Sequence, residues 1–444
     1  MVGLRDILRD RVICETGVPT TRADIHDYIE RLSQRLDVDA ARQRLAPDTI
    51  RPLKPRIRPT KRVSATALAA AWRTLLAETD ASEDDKRLLA DPETMARLGA
   101  YAANIENMIG TLKLPIGVIG PLRINGIHAE GDYYVPLATS EATLVASYGR
   151  GAALISAAGG VSAAVLNEGV QRAPGFAFDT LATAGLFAAW AARNFAMLKA
   201  AAEATTRHGR LIDLTPHVEG NHVYLICRYS TGDAAGQNMV TIATEALCRA
   251  LIAQCPHQPR YWFVEANLSG DKKASALAFL MGRGRSVTAE IRLPGALVEQ
   301  HLHTSVERMH DYWRMSALAG VMSGTLGVHG HYANGIAALY LATGQDVACV
   351  AESSVGITRM EIHGADLHVS VTLPSLMLGT VGGGTGLPTP AAGLRILGLQ
   401  GAGNAQALAE VAAGLCLAGE LSIIGALAAG EFGAAHGRLA RDRR

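Results

Sequence analysis

The chain lacks a charge imbalance: its 444 residues carry 42 Lys and Arg against 41 Asp and Glu, a net charge of +1. Without a basic surplus there is no electrostatic footprint for nucleic acid or for an anionic membrane surface, and neither is expected as a partner. Paired cysteine spacing is missing too. Cys14, Cys227, Cys248, Cys255, Cys349 and Cys416 are scattered, with no CxxC among them. Reduced, mostly buried thiols in a cytoplasmic chain account for them better than a disulfide framework or a zinc site. The first residues, MVGLRDILRDRVICETG, place charges every few positions and hold no apolar h-region, so no secretory signal is expected. No apolar run goes uninterrupted. Residues 151–167 contain a Gly-Gly pair and two serines, and residues 367–394 are broken by Pro374, Pro388, Pro390 and Gly382-Gly383-Gly384. Glu410, Glu420 and Glu431 punctuate the apolar C-terminal sequence. A span needs ~20 continuous apolar residues, so none of these is expected to cross a membrane.

What is present is a chain with 49% hydrophobic and 19% charged residues. That excludes intrinsic disorder and allows about three domains or one elaborate one. The abundance of Ala and Gly points to close packing of backbone against backbone.

The texture changes along the chain. Residues 1–105 read as helical and comparatively polar, with Ser82-Glu83-Asp84-Asp85 as a helix start. The Pro- and Arg-rich stretch 49–62 reads as a solvated connector. From about 106 to 173 come Gly-rich turns and short apolar runs. Residues 174–264 then give helix-like FDTLATAGLFAAWAARNFAMLKAAAEAT, alternating HVYLICRYS, helix-like TIATEALCRALIAQC and strand-like RYWFVEANLS. This segment reads as a small α/β domain inserted into a larger one made of 106–173 and 265–444. The expected class is α+β.

Several stretches carry chemistry. Ala138-Thr139-Ser140-Glu141-Ala142 sets one carboxylate among small apolar residues; it is a proton donor of raised pKa or a locally paired helix-start glutamate. Ser269-Gly270-Asp271-Lys272-Lys273 is an oxyanion-stabilising lysine beside a carboxylate, or an exposed charged turn. Asp346, in Thr343-Gly344-Gln345-Asp346, is the only charge between Met315 and Glu352, and a buried lone Asp would need a partner. Thr380-Val381-Gly382-Gly383-Gly384-Thr385 exposes backbone to a flat or phosphorylated ligand, without being a Rossmann fingerprint. His329-Gly330-His331 has no spacing that completes a metal site, and no metal is expected. His436 opens a short basic tail.

Taken in order, Glu106-Asn107-Met108-Ile109-Gly110, Pro115-Ile116-Gly117-Val118-Ile119-Gly120-Pro121-Leu122, Pro136-Leu137-Ala138-Thr139-Ser140-Glu141, Gly232-Asp233-Ala234-Ala235-Gly236-Gln237-Asn238-Met239, Asp271-Lys272-Lys273, Gly344-Gln345-Asp346 and Gly379-Thr380-Val381-Gly382-Gly383-Gly384-Thr385 resemble the 3-hydroxy-3-methylglutaryl-CoA reductase family, in its soluble form without a membrane anchor. The resemblance spans roughly 100–440. It implies a four-electron reduction of an acyl thioester to a primary alcohol by two NADPH in succession. It also implies catalytic roles for four residues. Lys272 would stabilise the oxyanion, and Asp346 would tune Lys272 and Glu141. Glu141 would donate a proton at the aldehyde stage, and His436 would protonate the departing thiolate. Arg150, Arg172, Glu265, Asp271, Lys273, His331 and Asn334 would surround the acyl substrate. Thr206 and Arg207 would take the adenosine 2′-phosphate. Asp233, Asn238, Gly382, Gly383 and Gly384 would line the nicotinamide side. The small domain, 174–264, would bind NADPH, and active sites would form at a homodimer interface.

Departures from the family pattern cluster around the substrate. Glu265 stands where a serine is usual, and Ser269-Gly270 where Cys-Thr is. Arg314-Met315-Ser316-Ala317 replaces a Lys-Asn-Leu segment, and His329-Gly330-His331-Tyr332-Ala333-Asn334 is a shortened signature. On the coenzyme A side, Gly149, Ala153 and His303 replace basic or amide groups. Glu265 is expected to repel the distal carboxylate of a hydroxymethylglutaryl group. Three readings follow: reduction of hydroxymethylglutaryl-CoA to mevalonate; reduction of another acyl thioester, on CoA or a carrier protein; or a catalytically silent paralogue.

Overall fold

The computed structural model describes residues 27, 30, 31, 46–57 and 62–431. His436, Cys14 and nearly all of residues 1–45 in the region expected to be helical lie outside the described residues. The chain divides into two compact units, residues 1–58 with 71–81, and residues 59–70 with 82–444.

Helix α1 (Ala65–Glu78) is followed by α2 (Glu83–Leu89), α3 (Pro92–Ala96) and α4 (Leu98–Tyr101). The start of α2 is the one read from sequence. The Ser82 hydroxyl accepts the Asp85 N–H at 3.2 Å, and the Asp85 carboxylate accepts the Ser82 N–H at 2.8 Å. Two orphan amides are thereby satisfied by a reciprocal box. Strands β1 (Ile116–Gly126) and β2 (Glu130–Ala138) form a hairpin, helix α5 (Leu144–Ala157) follows, and β3 (Val161–Arg172) comes next. Then come β4 (Gly175–Ala177), α6 (Leu181–Arg193), α7 (Phe195–Glu203), β5 (Arg210–Glu219), β6 (His222–Ser230), α8 (Gln237–Gln254) and β7 (Tyr261–Phe263). The rest of the chain supplies α9 (Ala276–Met281), β8 (Gly284–Pro294), α10 (Gly295–Leu302), α11 (Val306–Ser323), β9 (Gly327–Val328), α12 (Tyr332–Thr343), α13 (Val350–Ser353), β10 (Gly356–His363), β11 (Asp366–Leu376), α14 (Pro388–Ile396) and α15 (Ala405–Ala429). The class is mixed α and β, as expected.

Strand β3 belongs to two sheets at once. Its first residues pair with β1 and its stretch 162–169 with β8, in a sheet that continues through β11 and β10 to β9. Its last three residues, Val170–Arg172, pair instead with β6, which also pairs with β5 and β4. Arg172 is therefore delivered, by strand geometry, to the seam between the two sheets. β6 buries alternate residues along its whole length, the period-2 pattern visible in HVYLICRYS. RYWFVEANLS yields only the three residues of β7, because the chain leaves the sheet after Phe263.

The C-terminal helix α15 is long and apolar enough to cross a membrane, contrary to the reading from sequence. However, 89% of its apolar window is buried by the rest of the chain. It is the core helix, and its glutamates are internal. Glu410 accepts the N–H groups of His128 at 2.8 Å and Ala129 at 2.7 Å, while Glu420 accepts those of Gly330 and His331 and the Thr358 hydroxyl. Buried carboxylates persist where hydrogen bonds satisfy them. A Cβ on Gly151 of α5 would sit 1.9 Å from the Ala418 carbonyl oxygen, so the two helices meet backbone to backbone. That contact explains α5, which the glycines of SYGRGAALISAAGG disguise as turns.

Candidate active site

Between β7 and α9 the chain has no regular structure and enters the left-handed region three times, at Asn267 (φ +66°), Gly270 (φ +70°) and Lys272 (φ +55°). A lysine rarely adopts that conformation unless its surroundings impose it. The turn sends consecutive side chains in opposite directions. Lys272 Nζ lies 2.7 Å from Asp346 Oδ2, both side chains being half-exposed. The hydrogen bond that Lys272 donates to Asp346 is the main reason the Lys272 pKa rises above the ordinary lysine value. Asp346 is itself held as the cap of the short turn Val347–Cys349, accepting the Ala348 N–H at 3.1 Å.

Asp271 points inward. Arg172 Nη1 lies 2.9 Å from Asp271 Oδ2 and 3.2 Å from Glu265 Oε2, and Arg283 Nη2 lies 3.0 Å from Asp271 Oδ1. Burial pushes the Asp271 carboxyl up, but the two guanidinium groups beside it outweigh that and hold it below the usual carboxylate range. Arg283 is fully buried and also pairs with Glu352, which is equally buried. Burial raises the Glu352 pKa to about 7 despite the arginine.

Gln345 ties Asp346 to the glycine-rich loop. Its Nε2 donates to the Gly379 carbonyl at 2.9 Å and its Oε1 accepts the Gly379 N–H at 2.8 Å. Gly344 (φ +70°) packs so closely that a Cβ there would lie 2.4 Å from the Gly384 carbonyl oxygen. On the other side, the Asp233 carbonyl accepts the Thr380 N–H at 2.8 Å, and the Asp233 carboxylate accepts the N–H groups of Gly403 and Ala405 at 2.8 and 3.2 Å. Arg285, buried, donates to the carbonyls of Leu378 and Gly232. Gly382–Gly384 also receive the Asn104 amide, which donates to the Gly383 carbonyl at 3.0 Å. Loops 231–236, 344–346 and 379–384 thus form one braced unit.

The remaining expected residues are placed as follows. Glu141 is exposed in the turn before α5, so the apolar setting expected for it is not realised within this chain; the Asn334 amide donates to it at 3.4 Å. Lys273 is exposed and donates to the Asp271 carbonyl at 2.9 Å. Arg150 donates to the Ser422 carbonyl at 2.7 Å and to its hydroxyl, so its guanidinium is engaged by α15. His331 is half-buried, its Nε2 lying 2.9 Å from the Gly419 carbonyl oxygen. The Thr206 hydroxyl accepts the N–H groups of His208 and Gly209, forming a turn from which Arg207 is exposed, and Asn238 is exposed at the start of α8. Among the described residues no group of three or more His, Cys, Asp or Glu is arranged to hold a metal. Reading the sequence had missed Arg283, Arg285, Gln345 and Glu352 as site-building residues. Only Gln345 carried a signal, its place beside Asp346.

Residues 69–441 match the family model for hydroxymethylglutaryl-coenzyme A reductase. The chain belongs to that family. It is 45% identical over 381 residues to the 3-hydroxy-3-methylglutaryl-coenzyme A reductase of Haloferax volcanii, covering 82% of this chain and 94% of that protein. The reductase of Methanothermobacter thermautotrophicus is 45% identical over 344 residues, covering 77% of this chain and 86% of that one. In fold, the chain resembles the class II reductase of Streptococcus pneumoniae, solved bound to NADPH in open conformations, with a TM-score of 0.60, 22% identity, and coverage of 80% of this chain and 99% of that one.

Glu265 is placed beside Arg172, which it shares with Asp271, and its other oxygen accepts the Asn267 N–H at 2.7 Å.

Proposed function

We propose that the chain reduces hydroxymethylglutaryl-CoA to mevalonate with NADPH, in two hydride-transfer stages. The observation that carries this is the Lys272–Asp346 pair at 2.7 Å, held beside the braced glycine-rich loop. A cationic donor fixed before the reaction stabilises negative charge developing on a carbonyl oxygen, without reorganisation during the step. Asp346 keeps Lys272 charged across the working pH range. Glu141 supplies the proton at the aldehyde stage from its exposed turn, and His436 protonates the departing thiolate.

The residues present suit the cofactor. Arg207, exposed from the Thr206 turn, offers a fork for a phosphate dianion, and Gly382–Gly384 leave backbone open for a flat ring system. NADPH, when bound, supplies the hydride. Residues 174–264 form its binding part, with 106–173 and 265–444 supplying the catalytic groups.

A second copy of the chain completes the site. Met315, Leu318, Val321 and Met322 form an exposed apolar stripe along α11, beside exposed Arg314, and a partner surface removes it from water. The five described cysteines are all buried and unpaired, which suits a reducing, cytoplasmic setting.

The test is NADPH oxidation by purified protein with hydroxymethylglutaryl-CoA, with NADH and other acyl-CoA thioesters in parallel. Two NADPH consumed per CoA released is expected. Turnover only with a different thioester, or none at all, overturns the proposal.

A further inference from the structure

We propose that Arg283 and Glu352 are positioning residues for the Lys272 ammonium, a buried pair that fixes the Asp271–Lys272 turn so that the lysine meets Asp346. The inference rests on the reading of Lys272 as the oxyanion donor.

Two stretches of chain run past each other and are joined at two points. One contains Asp271 and Lys272, the other Asp346 and Glu352. At the surface the join is direct, Lys272 to Asp346 at 2.7 Å. In the interior it passes through Arg283, which lies 3.0 Å from Asp271 and pairs with Glu352. Arg283 is the fixed member. It immediately precedes β8, its N–H donates to the Ser375 hydroxyl at 3.1 Å, and it is completely buried. Its Nη2 also donates to Gln237 Oε1 at 2.8 Å, and Gln237 Nε2 donates to the Cys349 sulfur at 3.0 Å. The Asp271 loop, α13 and the start of α8 therefore converge on one guanidinium.

The arrangement also explains why Lys272 can sit at φ +55°. A left-handed non-glycine residue persists only where neighbours over-determine it. Here Asp271 is held from below by two arginines and the Lys272 side chain from above by Asp346, so the peptide between them has no freedom to relax. The Lys272 amide itself favours the ionised form of Glu352.

The groups facing Glu352 are Arg283 ahead of β8, Asp271 and the Lys272 amide from the loop, Cys349 from the preceding turn, and Tyr340 from α12. Only Arg283 is a cation. With burial holding the Glu352 pKa to about 7, the strength of the clamp changes within the physiological range. Protonation there removes the charge that Arg283 leans on.

The experiment compares wild type, Glu352→Gln and Glu352→Asp by two readouts. The first is the single-turnover rate of NADPH oxidation with hydroxymethylglutaryl-CoA. Glu352→Gln should slow it about 10- to 100-fold, the scale of a small misplacement of a catalytic group, and Glu352→Asp should recover part of the loss. NADPH affinity, read by fluorescence titration, should stay within about twofold. The second readout needs no turnover: labelling of the Lys272 amine at pH 9 by acetic anhydride, quantified by mass spectrometry. Once separated from Asp346, Lys272 loses proton affinity and should label faster, about tenfold for each pKa unit lost.

Wild-type rate and wild-type labelling in Glu352→Gln overturn the inference. So does a parallel loss of rate and NADPH affinity, which marks a merely structural role. If Glu352→Gln does not fold, Gln237→Leu loosens Arg283 from outside the pair, and unchanged Lys272 labelling in that variant overturns it equally. A wild type that oxidises no NADPH defeats the proposed function instead, while the labelling comparison still decides the clamp.

Discussion

Asp346 Oδ2 lies 2.7 Å from Lys272 Nζ, and the two residues come from loops 74 positions apart in the chain. This contact turns two ambiguous motifs into one unit. The hydrogen bond donated to Asp346 raises the Lys272 pKa, so the ammonium survives to higher pH than an ordinary lysine would allow.

Asp346→Asn removes the charge while keeping the shape. The Lys272 pKa then falls, because the raising partner is gone and the smaller opposing effect of burial remains. The sign is fixed: the alkaline limb of the kcat profile moves to lower pH. The maximal rate should also fall, by about 10²- to 10³-fold, as for loss of a preorganised electrostatic group. A kcat profile between pH 7 and 10.5 checks both, and an alkaline limb that stays in place counts against the pair.

Gly344→Ala tests the bracing of the cofactor side. The new methyl would lie 2.4 Å from the Gly384 carbonyl oxygen and 2.7 Å from Pro390 Cβ, at a φ of +70° that disfavours alanine. Strain and overpacking together should cost about 2–4 kcal/mol of stability. NADPH binding should weaken as well, because Gly382–Gly384 must shift. Urea unfolding and an NADPH titration read the two effects. An unchanged midpoint would mean that the loop yields freely and is not braced through Gly344.

Local chemistry made part of this legible in advance. The box at Ser82 and Asp85 is written in four consecutive residues, and the alternation of β6 in nine. Asp346 stood out as a lone charge in a long uncharged stretch, and Lys272 as one of two cations beside an anion. Others were hidden by the same logic. Glu352 looked like the far boundary of an apolar stretch, and nothing in Gly282-Arg283-Gly284 singled out Arg283. Their meaning depends on burial, which is set by contacts from β8, α8 and α12 rather than by neighbours in sequence. Helix α5 was concealed because its glycines read locally as breakers, whereas Gly151 serves a close approach to α15 that only the tertiary structure reveals. The glutamates of α15 were read as interruptions of an apolar run, whereas each is satisfied by backbone amides from distant loops.

Glu410 gives that last point a measurable form. It is fully buried, and its Oε2 accepts the N–H groups of His128 and Ala129 at 2.8 and 2.7 Å, pinning the β1–β2 turn to α15. A Cβ on Gly126 would lie 2.2 Å from the same oxygen, so the turn has no room to move away and find water. Glu410→Leu suits the apolar helix by composition, yet it leaves the buried Ala129 amide and the part-buried His128 amide without an acceptor. Each orphaned donor costs about 1–3 kcal/mol, so a loss of about 3–5 kcal/mol is expected in denaturant unfolding. Glu410→Gln keeps an acceptor oxygen in place and should lose about 1–2 kcal/mol, the difference between a charged and a neutral acceptor. If leucine proved as stable as glutamate, the carboxylate would be dispensable to the turn, and the apolar character of α15 alone would hold the hairpin.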